Sequence, residues 1–165
     1  MPAVIVTSSQ FVASSARVAY SVLADYRGGH ARILPRKYFG PLHIEAGGFG
    51  AGTRIRFQMR ILGIVRETST EVDEPEPSRV LRERDGQGTV TTFTVEADAR
   101  GGCNVTIATT LRLSGFGGWL QRWIVPPLLR RIYREELQNL ANLAPQLEFI
   151  GYYSDVRAAG SAAVQ

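Results

Sequence analysis

The stretch "EAGGFGAGTRIRF" (Glu45–Phe57) places four glycines within six residues and then alternates arginine with apolar side chains. Its reading separates two kinds of fold. A phosphate-cradling loop needs a strand, a glycine turn and then a helix, so that N–H groups at the helix start face the anion. Here the glycines lead instead into Ile55, Phe57, Met59 and Ile61 on one parity, with Arg54, Arg56, Gln58 and Arg60 on the other. That period of two belongs to a strand with one solvated face. Neither G-x-G-x-x-G nor G-x-x-x-x-G-K-[ST] can be laid on Gly47, Gly48, Gly50 and Gly52. The glycines read as a turn between strands.

Outward from this turn, the same period recurs. "LHIEA" precedes it, and "IVRETSTEV", "RVLRERD", "TVTTFTVEADA" and "CNVTIATTLRL" follow, separated by Gly63, "DEPEPS" (73–78), "DGQG" and "RGG". Six strands joined by short turns make an antiparallel meander. Before them, "AVIVTSSQFV" reads as a further strand. "SSARVAYSVLADY" reads as a short helix capped by Ser14 or Ser15, with Val18, Val22 and Tyr26 at helical spacing. Gly28 and Gly29 end it, and Pro35 stops the short turn that follows. After the meander, "SGFGGWLQRWIVPP" predicts a short helical turn, and Pro127 suits the first position of a new helix. "LLRRIYREELQNLANLA" then carries Leu129, Ile132, Tyr133, Leu137, Leu140 and Ala144 as an apolar stripe. Glu135 falls on the opposite, solvated face, and Glu136 falls at the margin of the stripe.

The chain has 165 residues, enough for one domain that buries roughly two-thirds of its unfolded surface. Residues 1–150 read as that domain, and 151–165 ("GYYSDVRAAGSAAVQ") as a tail expected to fray. Apolar content of 44% and charged content of 21% suit a soluble globule. No apolar run has the length of a membrane span, which argues against integral membrane contact. The opening residues lack the basic and long apolar regions of a signal peptide, so the expected location is cytoplasmic. A net charge of +4 comes almost wholly from dispersed arginines, Lys37 being the only lysine, and this does not describe a nucleic-acid face. Cys103 is the sole cysteine, and His30 and His43 are the only histidines, so neither a disulfide nor a metal site is expected. No G-x-S-x-G elbow is present.

"ARVAYSVLADY" (16–26), the glycine turn before "TRIRF", the "EVDEPEPSRVL" corner and the terminal amphipathic helix together resemble the SRPBCC, or START-like, superfamily. This resemblance implies an α+β helix-grip fold. About seven strands would form a strongly curved antiparallel sheet wrapped on a long C-terminal helix, with two short helices after the first strand. It also implies an internal cavity that binds a small, largely apolar molecule such as a lipid, a polyketide or an aromatic compound, without a cofactor. The alternative within the same group is a polyketide cyclase/dehydrase-like enzyme using that cavity.

One mismatch in the meander bears on the cavity. In "IVRETSTEV" the parity of Ile64 and Val72 also holds Arg66, Thr68 and Thr70. Burying them without partners would cost several kcal/mol each. Either they line a polar-tipped cavity, or a bulge turns them outward. Apolar walls with a few polar groups are the usual make-up of a small-molecule site. Candidate wall residues are Phe57, Met59, Phe93, Val95, Ile107 and Thr109 from strands, and Leu129, Tyr133 and Leu137 from the helix. Arg66 would orient an anionic or carbonyl group, assisted by Thr68, Thr70 and Tyr133, whose phenol needs a partner if buried. Tyr26, His30, Trp119 and Trp123 either guard the entrance or pack the helix junctions.

Overall fold

A computed structural model describes residues 3–112 and 118–154 of the chain. The elements are β1 (Ala3–Val12), α1 (Ala16–Ala24), α2 (Gly29–Ile33), β2 (His43–Ala46), β3 (Arg54–Ile61), β4 (Ile64–Glu76), β5 (Val80–Asp85), β6 (Val90–Asp98), β7 (Gly102–Arg112) and α3 (Gly118–Phe149). One sheet has the order β1-β7-β6-β5-β4-β3-β2. Strands β2 to β7 are the expected meander, and β1 closes the far edge by pairing with β7 from Ala3↔Arg112 to Val12↔Cys103. This is the helix-grip arrangement: the sheet's inner face wraps on α3, and Ile132, Leu137, Leu140 and Ala144 of the helix share one buried apolar core with Val105, Ile107, Phe93 and Leu81 of the sheet. No helix among the described residues is long and apolar enough to cross a membrane.

The two short helices stand where their capping groups place them. Ser15 Oγ accepts from the Val18 N–H at 3.3 Å and starts α1. Asp25 ends it, its carboxylate taking the N–H groups of Gly28 and Gly29 at 3.0 Å each. A side chain at Gly29 would lie 2.5 Å from Tyr153 Oη and 2.8 Å from the Val22 carbonyl, so only glycine allows the closure. Tyr153 is itself buried and donates to Asp25 at 3.0 Å, so the packed body reaches past residue 150 to Ser154.

The glycine turn holds an anion after all, but one of the chain's own. The Ala51 N–H donates to Glu74 Oε2 at 2.8 Å, and Tyr20 Oη donates to Glu74 Oε1 at 2.5 Å. A Cβ at Gly50, whose φ is +60°, would lie 2.5 Å from Glu74 Oε2. The loop is closed over a carboxylate from β4, with a strand on either side of it.

Two boundaries differ from expectation. Strand β4 runs on through Glu76, so most of "DEPEPS" is strand rather than turn. Pro75 falls in the register shift between Asp73 and Glu76, where no ladder bond needs its missing N–H. Helix α3 starts at Gly118 rather than at Pro127 and continues through Pro126 and Pro127. Proline's φ suits a helix, and the lost bonds would have gone to the carbonyls of Arg122 and Trp123, both on the exposed side.

Candidate functional site

Between the sheet's inner face and α3 lies a cavity of about 500 Å³. The strand period decides what faces it. β3 and β4 pair without a slip from Arg54↔Glu71 to Ile61↔Ile64, with Phe57 opposite Thr68 and Met59 opposite Arg66. Phe57, Met59, Arg66, Thr68 and Thr70 all line the cavity, and no bulge turns the polar three away. Phe93, Thr109, Leu129 and Tyr133 complete the set expected from strands and helix. Val95, Ile107 and Leu137 are buried core instead, outside the lining.

Arg66 lines the cavity near its mouth. It is exposed at the open end, where Nη1 donates to Gln87 Oε1 at 3.1 Å. Leu62, Ile64 and Arg112 stand there too, all exposed. The burial cost that made an inward arginine expensive does not arise, because β4 carries Arg66 to the rim. Thr70, four residues further along β4, is buried.

The closed end is polar in a way the sequence reading overlooked. Glu83 of β5 shares the parity of Leu81 and stands opposite Val72 on one side and Thr91 on the other. Thr91 in turn is opposite Thr109. One row of the inner face therefore runs Val72, Glu83, Thr91, Thr109 across four strands. Thr91 and Thr109 hydroxyls lie 2.9 Å apart, and Thr109 Oγ1 lies 2.6 Å from Tyr133 Oη on α3. Tyr26 Oη donates to Glu83 Oε1 at 2.6 Å, and His30 Nε2 lies 3.6 Å from the same oxygen. His30 Nδ1 is 2.6 Å from the Leu23 carbonyl, which can only accept, so the proton is on Nδ1. The imidazole is fixed further by stacking on Tyr26 at 4.4 Å and by an edge contact with Phe93 at 5.6 Å.

Above this row sits Glu136. It is 3% exposed, lines the cavity, and its Oε1 has no hydrogen-bond partner among the described residues. Burial, with the nearby Glu83 carboxylate adding to it, holds the Glu136 carboxyl well above the usual carboxylate range, which favours its protonated form. Burial also raises the phenols of Tyr26 and Tyr133 far out of the neutral range. Glu136 belongs to the buried stripe of α3 rather than to its margin, three residues after Tyr133 and four after Ile132.

Of the four residues named either for the entrance or for the helix junctions, two pack at the α1–α2 corner. Tyr26 and His30 are buried at the closed end, 1% and 2% exposed. Trp123 is 77% exposed and absent from the lining. The Trp119 side chain lies outside the described residues. Cys103 is buried, and burial pushes its thiol up to about 11, so it is no thiolate nucleophile. Among the described residues no three His, Cys, Asp or Glu side chains gather as a metal ion would need.

Solved structures place this geometry among known folds. KanY protein is similar at 26% identity, over 88% of this chain and 99% of that one, with a TM-score of 0.76. The Zhui aromatase/cyclase from Streptomyces sp. R1128 shares the fold at 18% identity, over 88% of this chain and 96% of that one, TM-score 0.73. So does norcoclaurine synthase from Thalictrum flavum, determined with a transition-state analogue, at 15% identity over 89% and 97%, TM-score 0.67. A search of curated proteins returns no match. Residues 3–145 match the family described as polyketide cyclase / dehydrase and lipid transport, and the chain belongs to that family.

Proposed function

We propose that the chain binds one small, largely apolar molecule in the cavity between the sheet and α3. The carrying observation is the cavity itself: about 500 Å³, with Phe57, Met59, Phe93 and Leu129 as apolar wall, Glu83 and Glu136 in its buried part and Arg66 and Arg112 at its rim. Such a volume suits a compact lipid, a polyketide or an aromatic compound. Arg66 and Arg112 at the rim would face an anionic group left outside, while the apolar body fills the middle. Native mass spectrometry of the purified protein, followed by titration with an environment-sensitive apolar dye, tests this. Retention of a small molecule, or saturable dye binding that Phe57→Asp abolishes, is the expected result. A protein that binds no apolar probe would end the proposal.

Catalysis in the same cavity is the second reading, favoured by the closeness of two cavity-lining carboxyl groups, Glu136 and Glu83, with burial favouring the protonated form of the first. Paired carboxyl groups in one apolar site are a common source of acid–base chemistry on a carbonyl compound. Tyr133 and Arg66 fit that work less well: the first is bonded to Thr109, and the second stands at the rim. Deuterium uptake from solvent at the α-carbon of a bound ketone, lost in Glu83→Gln, would favour the enzyme over the carrier. Uptake equal to that in buffer would leave the carrier.

A further inference from the structure

We infer that Glu136 is a hydrogen-bond-donating subsite at the closed end of the cavity, and that it selects ligands whose leading end is an uncharged acceptor, a ketone or aldehyde carbonyl. The inference deepens the binding reading and rests on it. Three observations meet at this side chain. Glu136 is 3% exposed and faces the cavity. Its Oε1 has no partner among the described residues. The hydroxyls nearest in the fold are already engaged, Tyr133 and Thr91 with Thr109, and Tyr26 with Glu83. A buried carboxyl in this state offers one O–H donor and finds nothing on the protein to take it. A polar group left unpaired in an apolar site is costly, and a ligand that supplies the missing partner recovers that cost on binding.

The chemistry of the surroundings sets the class of that partner. A leading carboxylate would place a third acidic group beside Glu83 and Glu136 and would have no arginine to meet, since Arg66 is at the other end and His30 Nε2 already faces Glu83. A leading ammonium would draw the proton off Glu136 and leave two desolvated carboxylates around one cation, an arrangement that desolvation disfavours. An alkyl end would leave the Glu136 donor unpaired. A carbonyl oxygen accepts the one proton on offer, brings no charge and needs nothing further. Burial and the field of Glu83 both act to keep that proton in place. The ligand is thereby given a direction: carbonyl inward at Glu136, apolar body along Leu129 and Phe57, any anionic group outward at Arg66.

Four near-isosteric probes separate these cases by isothermal titration at neutral pH: 2-acetylnaphthalene, 2-isopropenylnaphthalene, 2-naphthoate and 1-(2-naphthyl)ethylamine. The expected order puts the ketone first, about tenfold tighter than the alkene, with naphthoate weakest. Glu136→Gln keeps the preference for the ketone, because the amide still donates. Glu136→Leu removes it, and the alkene then binds at least as tightly as the ketone. Ketone and alkene binding equally in the unaltered protein would overturn the subsite while leaving the cavity reading intact. Tightest binding by the amine or by naphthoate would overturn the ligand class. If none of the four binds, both the subsite and the cavity reading fail together.

Discussion

Thr109 Oγ1 and Tyr133 Oη lie 2.6 Å apart, a hydrogen bond that ties α3 to β7 on the sheet's inner face. Both groups are buried, so water does not compete for either. Thr109 has a second partner in Thr91 at 2.9 Å, which limits the damage if the phenol is removed. Tyr133→Phe is therefore expected to lower unfolding free energy by only about 1 kcal/mol, read as a shift of about 2–4 °C in thermal midpoint. A loss several times larger would mean that the tie organises more of the cavity than one bond.

Glu136 makes stability depend on pH in a specific direction. Its folded-state pKa lies above the ordinary value of 4.5, so the folded chain holds a proton that the unfolded chain releases. Unfolding free energy should then fall as pH rises from about 4.5 toward the folded-state pKa. Glu136→Gln has no such proton to lose. Urea unfolding of both proteins from pH 4 to 8 should show the variant gaining on the parent across that span. Parallel curves would show that Glu136 does not hold its proton in the folded state.

Glu74 anchors the glycine turn from the strand opposite. Glu74→Ala strips the acceptor from both the Ala51 N–H and Tyr20 Oη, leaving the buried Tyr20 hydroxyl with only its contact to the Ser78 backbone. The expected cost is about 2–4 kcal/mol, with loss of protection of the Gly50–Thr53 amides in hydrogen exchange. Exchange unchanged in that segment would show that the glycines hold the turn without the carboxylate.

Leu62 occupies a left-handed conformation, φ +51°, in the two-residue turn between Ile61 and Ile64, and is 66% exposed. Branched side chains pay for that conformation, whereas asparagine tolerates it before a glycine. Leu62→Asn should raise unfolding free energy by about 0.5–1 kcal/mol, measured by chemical denaturation. A drop instead would place Leu62 in a packing role that its exposure does not suggest.

The sheet and the long helix were legible because each is periodic within itself. Alternation in Arg54–Ile61 and the stripe from Leu129 to Ala144 need no knowledge of a partner element. The closed end was not legible in the same way. Glu136 sits squarely in the helical stripe by spacing, yet a charge beside apolar residues reads as the edge of a solvated face unless the opposing surface is known. Glu83 likewise shares Leu81's parity, but nothing in "RVLRERD" says that Tyr26 and His30 will cover it. Both depend on β5 meeting the α1–α2 corner, a contact between segments more than fifty residues apart: Tyr26 bonds Glu83 at |i−j| = 57. For Arg66, parity names a side of the strand and carries no information on distance from the rim.

The proline pair in α3 has a kinetic consequence. Without N–H groups at Pro126 and Pro127, two rungs of the helix ladder are missing just before Leu129, and Val125 and Leu129 both form cavity wall. Ahead of that gap the helix has Trp123 and Ile124 in solvent, while behind it Ile132, Leu137 and Leu140 are wholly packed. The leading turns can thus unwind as a separate unit, without disturbing the core. Guest exchange would follow the lifetime of those turns rather than the lifetime of the folded state, so a tightly folded protein could still release its cargo within the time of a local fluctuation.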